Sequence, residues 1–246
     1  MRVKLSPNVR LRATLQYEMA IDKEGKVFTD ELLAKHVFMH RQAIERITSL
    51  SKSLILSNAI LALLITGKDM SLPFSNLSTS DIPAAVESFA IFSSLTFMFL
   101  CLTFANEQFY RAIVEAMSTR EAKKMGIDGD FVSSGDIYTE FYVKTFRETM
   151  NFDTFDYFTP GKAYKLYYGL LGLMVAISLV LLLLLHLILI GYAIWLTAAA
   201  TWVAVLYVAT VILMNLSGLL TTLGISLPFA VRGFENDDDQ QQGASR

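Results

Sequence analysis

The sequence contains three histidines, the side chains that exchange protons most readily near neutral pH. His36 and His40 are four residues apart, a spacing that places two imidazoles on one face of a helix, as a helical metal site requires. The neighbours one turn away on that face are Leu32, Leu33, Ala43 and Ile44, none of them a metal ligand. We therefore interpret His36 and His40 as a solvated or interfacial pair, with a metal site as the alternative.

His186 stands in a leucine-rich run, where an ionisable side chain is a candidate functional residue. It follows Lys165 by 21 residues (186 − 165), which is roughly 31 Å of helix at about 1.5 Å per residue. A bilayer core is about 30 Å thick. The count therefore predicts that His186 lies near the outer headgroups rather than at the midplane.

Polar and small residues recur at helical spacing inside the apolar runs. Asn58 and Asn215 are the most interior polar side chains. One stripe consists of Asn215, Gly218, Thr222 and Ser226, and an earlier stripe includes Gly169 and Gly172. Small residues let helices approach closely, and amides and hydroxyls bond across the contact, so helix packing is our interpretation. The alternative is that these polar residues line a pore.

Several kinds of chemistry are excluded by missing motifs. The sequence has no GxGxxG, GxxxxGK[ST], HExxH or GxSxG motif, and Cys101 is its only cysteine. No acidic residue falls at midplane depth in a predicted span, so a carboxylate proton relay lacks its residues. We expect no enzymatic activity, no cofactor and no resident metal. A net charge of -2 gives no basic field for nucleic acid.

Composition indicates an integral membrane protein. Hydrophobic residues make up 53% of the chain and charged residues 18%, against roughly 25% in soluble domains, with a mean hydropathy of +0.44. From Leu166 to Val231 there is no charged residue, which is enough for at least two crossings. We predict an all-α polytopic fold with four transmembrane helices. The predicted spans are 29–67 (an amphipathic helix running into the first span), 87–105, 166–190 and 196–228, with a hairpin at 191–195.

The remaining segments are predicted to lie outside the bilayer core. Residues 8–19 alternate between apolar and polar, so residues 1–28 are predicted to form a strand-like arm, with a hairpin turn from Asp22 to Lys26. Residues 68–86 are predicted to be an external loop, and 232–246 a disordered acidic tail.

Residues 106–165 are predicted to form a helical cytoplasmic region that begins as an extension of the second span. On the extension, Glu107, Arg111 and Glu115 are spaced as a solvated ion-pair ladder. Further along, an aromatic stripe recurs at helical spacing, at Ile137, Phe141, Tyr142, Phe146 and Met150. We interpret that stripe as packing against other cytoplasmic helices, with the membrane interface as the alternative.

Lysine and arginine counts predict the orientation. Residues 1–52 contain ten and residues 109–165 contain eight, whereas residues 68–86 contain one. Short segments rich in these residues stay in the cytoplasm. Both termini are therefore expected on the cytoplasmic side, in a membrane that we expect to be the bacterial inner membrane.

The functional expectation is a non-enzymatic membrane subunit. We expect it to oligomerise and to anchor or scaffold a cytoplasmic partner through residues 1–28 and 109–165, in a signalling or defence system. The alternative is a homo-oligomeric ion channel or pore lined by polar residues of the first and fourth spans.

Overall fold

The computed structural model describes residues 2–5, 7–22, 24–67, 84–126, 162–197, 201–226 and 229–232. Within these ranges the chain forms five helices and one pair of short strands. The helices are α1 (Pro7–Ile21), α2 (Asp30–Ile65), α3 (Ala85–Met125), α4 (Lys162–Thr197) and α5 (Trp202–Ser226). The strands are β1 (Arg2–Leu5) and β2 (Phe229–Arg232).

Four of the helices, α2 to α5, are long and apolar enough to cross a membrane. This confirms the predicted class, an integral membrane protein with four membrane-spanning helices. The helices α2 and α3 have 36 and 41 residues, or roughly 54 and 62 Å at about 1.5 Å per residue. Because a bilayer core is about 30 Å thick, both continue well beyond it.

The helix α3 lies at the centre of the fold and contacts α1, α2, α4 and α5. Its membrane half presents small side chains, and Ala90, Ser93 and Ser94 are fully buried, which allows the neighbouring helices to approach. In contrast, the leucines of α4 from Leu179 to Leu182 are at least half exposed. Lipid tails are as apolar as leucine, so such a surface is suited to lipid contact.

An apolar core cluster joins all four spanning helices. It consists of Leu61 on α2, Ala90 on α3, Ile190 and Ala193 on α4, and Val211 on α5. These residues lie near the C-terminal ends of α2 and α4 and the N-terminal ends of α3 and α5. The four helices therefore meet towards one end of the bundle.

The ends of α2 and α3 follow the local sequence. The Thr29 hydroxyl accepts a hydrogen bond from the backbone N–H of Leu32, and Asp30 stands in the first turn, where the helix dipole favours a negative charge. The C-terminal end of α3 is marked by Gly126, whose φ of 70° favours a residue without a Cβ.

The predicted strand-like arm is wrong for residues 8–19, because residues 7–21 form α1. Pro7 supplies the fixed φ of a first helical position. Residues four positions apart share one face in a strand and also in a helix, so an alternating sequence is compatible with both. In α1 the apolar residues on this face are Leu11, Leu15 and Met19, which are half-buried. The long extension of α3 provides the surface on which this stripe packs. After α1 the chain turns into α2 rather than into a hairpin strand.

The hairpin predicted at Gly191–Trp195 is also wrong, because α4 continues to Thr197. Glycine is well tolerated in membrane helices. Thr197 is the last residue of α4, and Thr201 directly precedes α5. The Thr197 hydroxyl bonds to the carbonyl of Ala193, and the Thr201 hydroxyl accepts from the backbone N–H of Ala204 at the start of α5.

The two strands bring residues 2–5 and 229–232 side by side. Strand β1 pairs antiparallel with β2, with Arg2 opposite Arg232 and Leu5 opposite Phe229. Residues 2–5 and 229–232 therefore lie at the same end of the bundle, as an even number of crossings requires. The predicted aromatic stripe at 137–150 lies outside the described residues, as do residues 68–83 of the predicted loop and 233–246 of the tail.

Candidate functional site

Five polar side chains from the four spanning helices meet inside the bundle, and we call them the polar cluster. They are Asn58 on α2, Ser93 and Ser94 on α3, His186 on α4, and Asn215 on α5. Four of the five are buried: His186 is 1% exposed, Asn215 is 6% exposed, and both serines are 0% exposed, whereas Asn58 is half-buried. Polar groups removed from water in this way need partners of their own.

The imidazole of His186 bridges two asparagines. Its Nε2 lies 2.8 Å from Oδ1 of Asn215, and its Nδ1 lies 3.0 Å from Oδ1 of Asn58. The Asn215 amide nitrogen donates to the Ser94 hydroxyl at 2.8 Å and to the carbonyl of Val211 at 2.9 Å. The Ser93 hydroxyl donates to Oδ1 of Asn58 at 2.6 Å. Hydrogen bonds thus connect α2, α3, α4 and α5 through one histidine.

His186 and Asn58 both lie well inside their helices. His186 is 11 positions before the end of α4 (197 − 186), or roughly 16 Å along the helix. Asn58 is seven positions before the end of α2 (65 − 58), or roughly 10 Å. The helix α4 spans 36 residues, roughly 54 Å, and so exceeds a bilayer core of about 30 Å, and the depth of His186 in the bilayer stays a prediction.

The α5 stripe predicted from small residues faces α3. A Cβ on Gly218 would lie 3.0 Å from Cε1 of Phe97 and 3.3 Å from Sγ of Cys101, so the helices cross closely there. Thr222 is half-buried and bonds to the Gly218 carbonyl of its own helix. The side chain of Ser226 lies outside the described part of the chain.

The two glycines of the stripe predicted in α4 differ in their surroundings. Gly172 is buried, but a Cβ on Gly169 would meet nothing within 4 Å.

His40 contacts a carboxylate that the sequence interpretation assigned to a solvated face. Its Nε2 lies 3.0 Å from Oε1 of Glu107, and Gln108 donates to Oε2 of the same carboxylate at 2.7 Å. Glu107 is only 7% exposed, so the predicted solvated ladder is wrong at this residue. His40 on α2 and Glu107 on α3 are 67 residues apart in the sequence. Helical spacing relates residues of one helix, so it could not predict this contact between two helices.

His36 lies one turn from His40 and beside Tyr110, with 6.2 Å between the ring centroids. Its Nδ1 is buried and has no hydrogen-bond partner among the described residues. Burial lowers the pKa of His36, and the positive charge of Lys35 lowers it further. In the described ranges, no group of three or more His, Cys, Asp or Glu side chains is placed to hold a metal ion.

Three described segments at one end of the bundle form a helical layer that we call the platform, namely α1, residues 30–46 of α2 and residues 107–125 of α3. Arg12 of α1 donates to Glu115 of α3 at 2.7 Å. Arg120 of α3 bonds to Asp22 and lies 5.9 Å from the centre of the Phe28 ring. Asp22 also closes the turn between α1 and α2, because its carboxylate accepts the backbone N–H groups of Lys26 and Phe28. The Phe28 N–H, above all, lowers the pKa of Asp22.

Comparison of the chain with protein-family models, with curated proteins and with solved structures finds no match.

Proposed function

We propose that this chain is a non-enzymatic membrane subunit that assembles with copies of itself or other subunits and holds a cytoplasmic partner at the bilayer. The observation that carries the proposal is the continuity of α2 and α3. Each runs unbroken from the membrane-spanning bundle into the platform. A surface built on such helices keeps a fixed position relative to the bilayer.

The exposed side chains of the platform are suited to binding a partner protein. Large apolar side chains are exposed there, beside the charged residues of α1 and α2, and include Tyr17, Ile21, Val37, Phe38 and Ile44, which are 41–65% exposed. Exposed apolar side chains grouped together on a surface indicate contact with protein or membrane. We propose that the contact is with a protein partner in a signalling or defence system.

The cytoplasmic position of the platform is part of the proposal. It is supported by the ten Lys and Arg in residues 1–52 and the eight in residues 109–165, because such residues accumulate on the cytoplasmic side. The pairing of β1 with β2 adds that residues 2–5 and 229–232 lie together. We infer the bacterial inner membrane as the location.

The polar cluster favours this function over a channel. A pore needs polar groups that face water. In this structure the side-chain amide of Asn215 is hydrogen-bonded to His186 and Ser94, and the side-chain oxygen of Asn58 accepts a hydrogen bond from Ser93. These groups bond helix to helix inside one copy of the chain.

A photo-crosslinking experiment in native membranes tests the proposal. A photoreactive amino acid replaces Phe38, which is 65% exposed on the platform, and the matched control replaces Leu179, which is 62% exposed on the leucine-rich face of α4. We expect discrete adducts with another protein from position 38 and none of these adducts from position 179. Adducts only with lipid at both positions, together with ion flux through liposomes containing the purified protein, would instead support the channel.

A further inference from the structure

The paired strands β1 and β2 form an amphipathic ribbon. In an antiparallel pair, residues directly opposite each other share a face, and successive residues along a strand alternate between the two faces. By this register, one face of the ribbon consists of the apolar residues Val3, Leu5, Phe229 and Val231. The other face, which we call the basic face, consists of Arg2, Lys4, Ala230 and Arg232.

The basic face concentrates positive charge without an acid of its own. Neither strand contains Asp or Glu, and the sequence has no acidic residue in 1–17 or in 157–234. Arg2 is directly opposite Arg232. Like charges in that position destabilise a strand pair, so the pairing favours an anion at the basic face.

The ribbon directly follows a spanning helix. Strand β2 begins three residues after the end of α5 (229 − 226), which is at most roughly 10 Å of extended chain. Helix α5 has 25 residues, or roughly 37 Å, and exceeds a bilayer core of about 30 Å. Arg232 is also the first charged residue after the charge-free run from Leu166 to Val231. These lengths favour a position of the ribbon among the lipid headgroups.

The apolar face of the ribbon needs a surface to cover it. A ribbon of only two strands is marginally stable in water, and packing of an apolar face on another surface stabilises it. At a membrane interface both faces gain partners. The acyl boundary covers apolar residues and the lipid phosphates attract basic ones, as they do for amphipathic helices that lie on membranes.

We propose that the β1–β2 ribbon is a binding site for the headgroups of anionic phospholipids, with Arg2, Lys4 and Arg232 as the residues that attract the phosphates. A lipid supplies both an anion and an apolar phase, and the ribbon has a face for each. A free phosphate or an acidic soluble protein supplies the anion alone. The inference does not depend on the proposed anchoring function or on the side that the platform faces.

The expected selectivity follows from the number of basic residues. Each Lys or Arg beside an anionic membrane surface strengthens the contact about fivefold, so three together give about a hundredfold at low salt. Screening weakens such attractions, because the Debye length falls from about 10 Å at 0.1 M salt to about 3 Å at 1 M.

Quenching of a tryptophan by brominated lipids tests the site. Trp195 and Trp202, the only native tryptophans, are replaced by Phe, and Phe229→Trp places a reporter on the apolar face. The whole chain is reconstituted in phosphatidylcholine bilayers that contain a fixed fraction of brominated phosphatidylglycerol or of brominated phosphatidylcholine. We expect quenching by both lipids, with at least tenfold stronger apparent binding of phosphatidylglycerol, and loss of that preference at 1 M salt.

Two triple variants in the reporter background locate the selectivity. Arg2→Gln, Lys4→Gln and Arg232→Gln together should abolish the preference for phosphatidylglycerol. The matched control removes the same charge from three exposed lysines in the turn after α1 and at the C-terminal end of α3. It combines Lys26→Gln, Lys123→Gln and Lys124→Gln, and the preference should be retained.

Three results overturn the inference. The absence of quenching by either lipid would mean that protein covers the apolar face. Equal quenching by the two lipids would mean that the ribbon does not select anions. Equal loss of the preference in both triple variants would assign it to the overall charge of the protein. If the ribbon triple variant does not fold, the salt dependence in the reporter background decides, and a preference unchanged at 1 M salt overturns the inference.

Discussion

At the scale of single residues, Asn215 bonds to three groups on three helices: His186 of α4, Ser94 of α3 and the Val211 carbonyl of its own helix. The first two of these bonds join helices. In the bilayer no hydrophobic effect holds helices together, so such bonds and close packing decide their arrangement.

Replacement of Asn215 by Leu should destabilise the bundle without opening a conducting path. A hydrogen bond between membrane helices is worth about 0.6–1.7 kcal/mol, and the substitution removes two of them and leaves the partners unpaired. We expect a lower unfolding temperature in detergent and unchanged ion flux in liposomes. Thr210→Val is the matched control, because Thr210 is exposed and, among the described residues, its hydroxyl bonds to the Leu206 carbonyl of its own helix rather than to another helix.

His36 should make the folded protein sensitive to mild acid. Burial lowers the pKa of His36 in the folded state, so the unfolded chain binds the proton at higher pH, near the ordinary value of about 6.5. Folding stability contributed by the neutral ring is then complete above about pH 6.5 and falls as the pH decreases below it. Thermal unfolding across this range should show a smaller loss in His36→Gln than in the wild-type protein. Equal losses in the two proteins would contradict the assignment.

The sequence identified Asn58, Asn215 and His186 as candidates, but not that one ring joins the two amides. Helical spacing relates residues within one element, and the cluster draws one or two residues from each of four. Glu107 was misassigned because its partner lies on another helix.

At the scale of elements, the crossing of α3 and α5 depends on Gly218. A Cβ there would approach Phe97 to 3.0 Å, so the aromatic ring must move to make room for one.

Gly218→Leu should force α3 and α5 apart. Excess volume in a packed interface costs about 1–3 kcal/mol, and we expect a decrease of that size in the free energy of unfolding. Gly169→Leu is the matched control, because a Cβ at Gly169 meets nothing within 4 Å. Thermal unfolding of both variants measures the difference, and equal stability would argue against the close crossing.

Helix type and length were largely predictable, whereas two boundaries were not. The cap at Thr29 and the stop at Gly126 are local signals, and both coincide with the ends of helices. The alternating pattern in residues 8–19 is compatible with a strand and with a helix, because residues four positions apart share a face in both. The helix is favoured by packing against α3, which the sequence pattern of this segment does not contain. In α4, Gly191 resembles a turn residue, but an apolar helix in a membrane accommodates it.

At the scale of the whole molecule, the chain combines a bundle of apolar helices, a polar cluster that connects them, and a platform at the same end as the paired strands β1 and β2. An anchor requires that the platform face the compartment of its partner. The side on which it lies is therefore the central claim.

Cysteine labelling with a membrane-impermeant maleimide tests that claim most directly. In a Cys101→Ala background, single cysteines replace Met125 and Tyr17, which are 68% and 62% exposed on the platform, and Thr66, which follows the opposite end of α2. In intact cells we predict labelling of Thr66→Cys alone, with labelling of Met125→Cys and Tyr17→Cys only after the membrane is permeabilised. Labelling of Met125→Cys in intact cells, with Thr66→Cys protected, would contradict the account.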